Sequence, residues 1–424
     1  MVCGAVLIYA IGSIAYRLYF SPLSQFPGPR LAAATLWYEF YYDVILKGQF
    51  TFKIKELHQK YGPIIRIGPY ELHINDPDYY NILYSHNPPR DKYHYYVKPF
   101  DFPLSSFGTE NAQLHRRRRA AMNPFFSRGK VLRQEALLQE LIQNFCNRIE
   151  DFRRSGKVAP LSLGFTCLST DLITSFVIGR SYRYIESPDW HPYWGQTLRS
   201  ASEFGVVLRQ LTWTLPILKS IPRSWAVAVN PGLALFFNLA KRIEERIVEV
   251  QTERNSTTME DATLEKGHTL FDQVLESKLP PHEKQPQRLA EEVRSVVGAG
   301  TETTSNALTV ITFHLLSNPE KLSRLRDELW AVEPNSKAEI KLCDLEKLPY
   351  LRKSDDQVIQ YKQYRIPPGT AVGMTSVLQH HDESIFPDSY SYVPERWLDL
   401  EERKRLEKYL VAFSKGSRRC IGMK

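Results

Sequence analysis

A mainly α protein with a small β region is what this sequence predicts, and three observations carry the prediction. Apolar residues recur at helical spacing over long stretches, at 131–153, 231–253 and 289–317. Strand-like alternation broken by Gly and Pro is confined to 64–74 and 358–376. Composition is that of an ordinary globular chain, 43% hydrophobic and 24% charged over 424 residues, which excludes disorder as the default and allows one large domain or two ordinary ones.

In chain order, the first element is MVCGAVLIYAIGSIAYRLYF, apolar from Val2 to Tyr16. It is near the length of roughly 20 residues that a membrane helix needs. Arg17 at its end can snorkel to the interface. No charged region precedes it and no small-x-small cleavage site follows, which argues against a removed signal peptide. Lys and Arg occur only after the segment, so the body is expected on the cytosolic side. Residues 1–20 are therefore read as a single-pass anchor, with a buried N-terminal helix as the alternative. The segment SPLSQFPGPR, within 21–30, reads as a stiff proline hinge.

Two short strands are expected at 64–67 and 71–74, joined by Gly68-Pro69. The middle of the chain reads as helical, and the polar stretch 251–266 as a surface loop that contains the sequon Asn255-Ser256-Thr257. A long helix is expected over 289–317. Asn318-Pro319-Glu320 then supplies a cap, a first-turn proline and a first-turn acid for another helix ending near Val332. VIQYKQYRIPPGTAVGMTS reads as a small sheet with hairpins.

Five cysteines, Cys3, Cys146, Cys167, Cys343 and Cys420, form no CxxC pair. Their scatter argues against a disulfide framework and for a reducing compartment. The net charge of +8 suits an acidic protein or an anionic membrane as easily as nucleic acid. An aromatic content of 12% suits an apolar ligand pocket.

Two stretches carry chemistry. In VVGAGTETTSNAL, Gly298 and Gly300 lie inside a helix at a cost of about 1 kcal/mol each relative to alanine. Glu302, Thr303 and Thr304 place an acid and two hydroxyls beside them. A kink facing a ligand with a proton path, or a close helix–helix contact, both fit. The second stretch is FSKGSRRCIGMK. A thiolate from Cys420 is a soft ligand suited to iron, and a haem can be held by one such axial thiolate. Gly416 and Gly422 would let the backbone pass close to a flat macrocycle, and Arg418 could pair with a carboxylate. A lone cysteine is most often an inert buried residue, but here five positions, starting at Phe413, sit at fixed spacing.

On these residues the chain resembles the cytochrome P450 family of haem-thiolate monooxygenases. Phe413-x-x-Gly416-x-Arg418-x-Cys420-x-Gly422 matches that family's cysteine loop. Ala299-Gly300-x-Glu302-Thr303-Thr304 matches its oxygen-binding helix, and Tyr392–Trp397 resembles the segment before the cysteine loop. Phe26-Pro27-Gly28-Pro29 resembles the hinge after its membrane anchor. The resemblance implies a cytochrome P450 fold with an anchor at 1–20, a hinge at 21–30 and a haem domain over 31–424.

The resemblance further implies Cys420 as the iron ligand, with Phe413, Gly416, Arg418 and Gly422 shaping the cofactor loop. Gly300 lies against the cofactor, and Glu302 and Thr303 deliver protons. His115 and Arg119, four apart on one helix face, take the place of a family Trp/Arg pair that reaches the haem propionates. HRRRRAAMNPFFS resembles the fungal secondary-metabolism branch, which implies an apolar substrate of terpenoid or polyketide type. An NADPH-cytochrome reductase would dock at Lys415, Arg418 and Arg419. The implied protein is a monomer on the endoplasmic reticulum membrane, body toward the cytosol, with no nucleic-acid partner. His380-His381-Asp382 could pass for a metal site, but in this context reads as the loop after the small sheet.

Two departures from the family pattern stand out. The family helix bearing Glu-x-x-Arg is missing near 351–357, which leaves Arg396 without its two usual partners; Glu291/Arg294 and Glu402/Arg405 match the spacing in the wrong context. After Cys420 only four residues follow, too few to nucleate a helix. The expectation is a chain that incorporates haem badly. The alternatives are thus a working monooxygenase, a haem-deficient relic or mis-spliced product, and a haem-thiolate isomerase or dehydratase, which the Glu302-Thr303 pair disfavours.

Overall fold

The computed structural model describes residues 2–87, 89–256, 269–332, 366 and 370–423. The chain divides into two compact units: Met1–Pro89 with Pro349–Cys420, and Arg90–Leu348 with Ile421–Lys424. Nine helices of eleven residues or more are present among the described residues. They are α1 Val2–Ala15, α2 Phe50–Tyr61, α3 Ala112–Met122, α4 Glu135–Arg154 and α5 Leu161–Ile178, then α6 Pro192–Gln210, α7 Leu233–Ser256, α8 Pro286–Leu316 and α9 Pro319–Val332.

In the first unit, α1 continues into a wider turn, Tyr16–Phe20. Cys3–Phe20 has a mean hydropathy of 1.4 and none of it is buried, whereas Leu161–Ile178, comparably apolar, is 56% buried. The first is long and apolar enough to cross a membrane, and the second is a core helix. Arg17 ties the end of this segment to the body, donating to the Ala34 carbonyl at 2.8 Å and the Tyr70 hydroxyl at 2.9 Å. The proline segment behind it is seated rather than free. Leu23 and Phe26 are buried in an apolar cluster with Ile64, Leu72, Ile74 and Val411, and Pro27 accepts a hydrogen bond from the Arg66 amide at 2.7 Å.

The strands are β1 Ile64–Arg66, β2 Glu71–Ile74 and β3 Ala371–Gly373. β1 and β2 are antiparallel, with Ile64 opposite Ile74 and Arg66 opposite Leu72. Of the sheet expected over 358–376, the described residues contribute β3, which lies parallel to β2, with Glu71 opposite Ala371 and His73 opposite Gly373. A parallel pair needs a long crossover and cannot be a hairpin. Residues 358–365 lie outside the described residues, as do 351–357, where the missing helix is expected, and Thr257 of the sequon.

A directed hydrogen-bond chain fastens the sheet to α2. The Gly62 carbonyl can only accept, so His58 Nδ1 carries the proton at 2.8 Å. His58 Nε2 must then accept from His73 Nδ1 at 2.7 Å, and His73 Nε2 accepts from the Thr375 hydroxyl at 2.8 Å. This direction of the bonds goes with both rings neutral, the state that their burial favours. Burial pushes His73 down to about 3, aided by the neighbouring His58; burial also lowers His58.

The second unit is built around α5 and α8. Cys167, Val177, Ile178, Phe271, Val293 and Val297 lie in one core with Trp190 and Trp194. Beside it runs a buried ionic chain. Arg118 on α3 grips Glu283 through two bonds, at 2.7 and 2.9 Å, and donates to Thr109 at 2.8 Å. Arg288 contacts Glu283 at 3.3 Å and Glu292 at 2.6 Å, and Glu292 accepts from the amide and hydroxyl of Ser106. All four charged residues are at most 6% exposed. Burial alone would raise Glu283, but the hydrogen bonds and charge of Arg118 hold it below the usual carboxylate range.

Two outcomes are expected. A histidine whose folded pKa is depressed contributes stability that is complete above its ordinary value near 6.5 and is lost as pH falls toward 3. The loss runs at up to about 1.4 kcal/mol per pH unit per group. Urea midpoints should therefore fall between about pH 7 and 5, and the fall should flatten in His73→Gln; an unchanged slope refutes the assignment. Arg118→Met should cost about 3 kcal/mol by leaving Glu283 short of its main partner, read as a lowered denaturation midpoint. Arg118→Lys, which keeps the charge but loses the two-pronged grip, should cost less.

Candidate functional site

The cysteine loop belongs to the first unit. Val411 is buried, and its amide donates to His380 Nε2 at 3.0 Å. The chain then reverses through two left-handed residues, Ser414 at φ 58° and Gly416 at φ 70°. A Cβ on Gly416 would lie 1.7 Å from the Tyr84 carbonyl oxygen and 3.0 Å from that of Ser85. Glycine is thus required both by the backbone angle and by the close seat on the 84–85 turn. That turn is itself held, because the Tyr84 hydroxyl bridges the Met374 amide and carbonyl at 3.2 and 3.3 Å.

Gly416–Arg418 forms one 3-10 turn, and the Cys420 amide closes the loop onto the Phe413 carbonyl at 2.9 Å. The result is an exposed thiol at the end of a closed, braced loop. Arg418 is half-buried and Phe413 is 43% exposed. Lys415 Nζ donates to the Lys408 carbonyl at 3.0 Å. Gly422 lies in a single 3-10 turn, Ile421–Met423.

The other expected site residues lie in the second unit. α8 runs unbroken through Gly298 and Gly300. At Gly300 a Cβ would come within 2.8 Å of Ile173 on α5, so this glycine permits a close helix–helix contact, one of the two readings its sequence left open. Thr303 Oγ1 donates back to the Ala299 carbonyl at 2.6 Å, a bond open to a helical hydroxyl. The Glu302 carboxylate is exposed and accepts from the Ser202 hydroxyl on α6 at 2.9 Å. On α3, capped by Asn111, His115 is buried and Arg119 half-buried, and Arg119 Nε donates to Asn123 at 3.2 Å.

Arg396 is half-buried and donates to the carbonyls of Val393 and Asp388, each at 3.2 Å. Glu402 and Arg405 are a surface ion pair at 2.6 Å, while Glu291 accepts from the Leu104 amide at 2.7 Å. His380 and His381 serve the backbone and Ser389, and no metal-binding group of three or more ligands is found among the described residues. Sequence reasoning missed Tyr84, Ser202 and the Arg118–Glu283–Arg288–Glu292 chain. Only the last left a trace, as acids and arginines at helical spacing in RLAEEVR.

Whether a haem fits these residues can be tested on the loop itself. The donor is a thiol with no competing structural task, exposed and fixed at its backbone, and its chemistry is that of an axial iron ligand. Within the loop, Arg418 supplies a guanidinium of the kind that meets carboxylates. Replacing Gly416 by alanine should destabilise the first unit by at least about 1–3 kcal/mol from the left-handed backbone alone, with the clash added. The measurement is thermal unfolding, and a stability equal to the parent would refute the seat.

A family model described as Cytochrome P450 matches residues 27–354 and 352–424. A cytochrome P450 monooxygenase of Ascocoryne sarcoides, MO6277, is 40% identical over 447 aligned residues, covering 99% of this chain and 87% of its own length. A tryptophan 6-hydroxylase of Fusarium equiseti, fscE, is 37% identical over 96% of this chain and 83% of its own. A cytochrome P450 monooxygenase of Cochliobolus heterostrophus, tpcC, is 37% identical over 96% and 81%. The family match splits at 352–354, and the first of these alignments is longer than the 424-residue chain.

Proposed function

Because the chain belongs to the cytochrome P450 family, we propose that it is a haem-thiolate monooxygenase in which Cys420 holds the iron. The reading adds fungal secondary metabolism as its setting and an apolar small molecule of terpenoid or polyketide type as its substrate. The single observation that carries it is the Phe413–Cys420 loop, which turns through two left-handed residues, closes with the Cys420 amide on the Phe413 carbonyl and leaves the thiol exposed. Haem, when bound, supplies activation of molecular oxygen and insertion of one oxygen atom into the substrate.

The chain's own residues do the rest. Cys420 donates its thiolate, and Gly416 keeps that sulfur's backbone in place against Tyr84. Arg418 and Arg119 would pair with the cofactor's carboxylates, and His115 would hydrogen-bond to them. Glu302 and Thr303 move protons: Glu302 is reachable from solvent, and Thr303 can exchange its bond to Ala299 for one to an incoming acceptor. Lys415, Arg418 and Arg419 form the positive rim on which an NADPH-cytochrome reductase docks. The apolar segment Cys3–Phe20 anchors the protein in the endoplasmic reticulum membrane as a monomer, with the body in the cytosol.

A second reading has its own observation. The family match breaks at 352–354, where the helix bearing Glu-x-x-Arg is absent from the sequence. A chain that skips this helix could fold most of the family's architecture yet bind haem poorly. The spectrum of the reduced, carbon-monoxide-bound protein separates the two. A stoichiometric thiolate-type band that Cys420→Ser abolishes supports the monooxygenase. A folded protein without that band supports the haem-deficient form.

A further inference from the structure

A groove of about 410 Å³ lies where the apolar N-terminal helix meets the first unit, lined by Tyr9, Gly12, Ser13, Tyr16, Arg17 and Tyr70 among others. Positions 9, 12, 13 and 16 fall on one helix face. Two small residues are thus framed by two tyrosines, which leaves a slot along the helix toward Arg17. The slot is apolar along the helix and cationic at its foot.

The foot is not neutralised. Arg17 uses two of a guanidinium's five N–H donors, on the Ala34 carbonyl and the Tyr70 hydroxyl. Beneath it Arg66, 2% exposed, donates to the carbonyls of Arg17, Gly68 and Pro69. Two guanidiniums are therefore adjacent with only neutral acceptors. No carboxylate lines the groove, and none pairs with either arginine among the described residues. The positive charge of Arg17, after burial, is what lowers Arg66. An anion at Arg17 would relieve this repulsion, and the place is the end of a segment long enough to span a bilayer, at headgroup depth.

We propose that this groove binds one anionic phospholipid, its phosphate on Arg17 and an acyl chain along Gly12 and Ser13. The proposal rests on the reading of Cys3–Phe20 as a membrane anchor. A lipid is favoured over free phosphate because the apolar slot continues the cationic foot.

The test uses the full chain in nanodiscs of phosphatidylcholine doped with phosphatidic acid, with retained lipid counted by native mass spectrometry. One phosphatidic acid should remain per chain. Arg17→Gln should weaken retention about tenfold, the worth of one charge-assisted hydrogen bond, and Arg17→Lys should restore part of it. Gly12→Leu, which fills the slot and leaves the arginines alone, should also release the lipid. Entry into the discs without preference for phosphatidic acid overturns the proposal alone. Displacement by inorganic phosphate overturns the lipid as occupant. Failure to enter the discs overturns the anchor reading and the proposal with it.

Discussion

The parallel pairing of Ala371–Gly373 with Glu71–Ile74 is the interaction on which the presentation of Cys420 depends. It brings the C-terminal segment onto strands formed near the start of the chain. Three further contacts at the same seam stiffen it: Thr375 to His73, Met374 to Tyr84, and the Gly416 turn against Tyr84. The first two are hydrogen bonds at buried or half-buried sites, where losing one partner strands the other, and the third is a close steric seat that only glycine allows. Tyr84 joins the last two, its hydroxyl holding the strand at Met374 and its backbone carbonyl seating the cysteine loop at Gly416.

The second unit is organised by charge rather than by sheet. The Arg118–Glu283–Arg288–Glu292 chain fixes α3 against the start of α8. His115 and Arg119 ride on the first of these helices, and Glu302 and Thr303 on the second. Side chains assigned here to cofactor carboxylates and to proton movement are thereby placed by one buried network that touches neither group. Replacing such a network by apolar residues need not destabilise a protein.

What the sequence made legible follows from how local each signal is. Ile64–Ile74 could be read because Gly68-Pro69 punctuates an alternating run, and α8 because its apolar spacing extends over eight turns. Cys420, Glu302 and Thr303 stood out by spacing. The partner of β3 left no local trace, since its pairing residues lie some three hundred positions away. Leu161–Ile178 is apolar on most sides, so it shows little of the periodicity that marks a surface helix. In HRRRR the run reads as a solvated face, yet Arg118 alone of the four arginines is fully buried, a distinction made by its distant partner Glu283.

The sequence separation at the β2–β3 seam also sets a timetable. His73 and Thr375 are 302 residues apart, so the seam cannot close until most of the chain has been made. Contacts of this span carry a large loop-closure cost and slow folding. Until β3 arrives, the outer edge of β2 stands open, a short strand edge available to other chains. All four of its residues, Glu71, Leu72, His73 and Ile74, are buried once the seam is closed. Synthesis adds about 5–20 residues per second, so this edge must wait for tens of seconds at the N-terminal end of a growing polypeptide. The cysteine loop, seated on Tyr84 and Met374, is consequently among the last parts of the first unit to find its place.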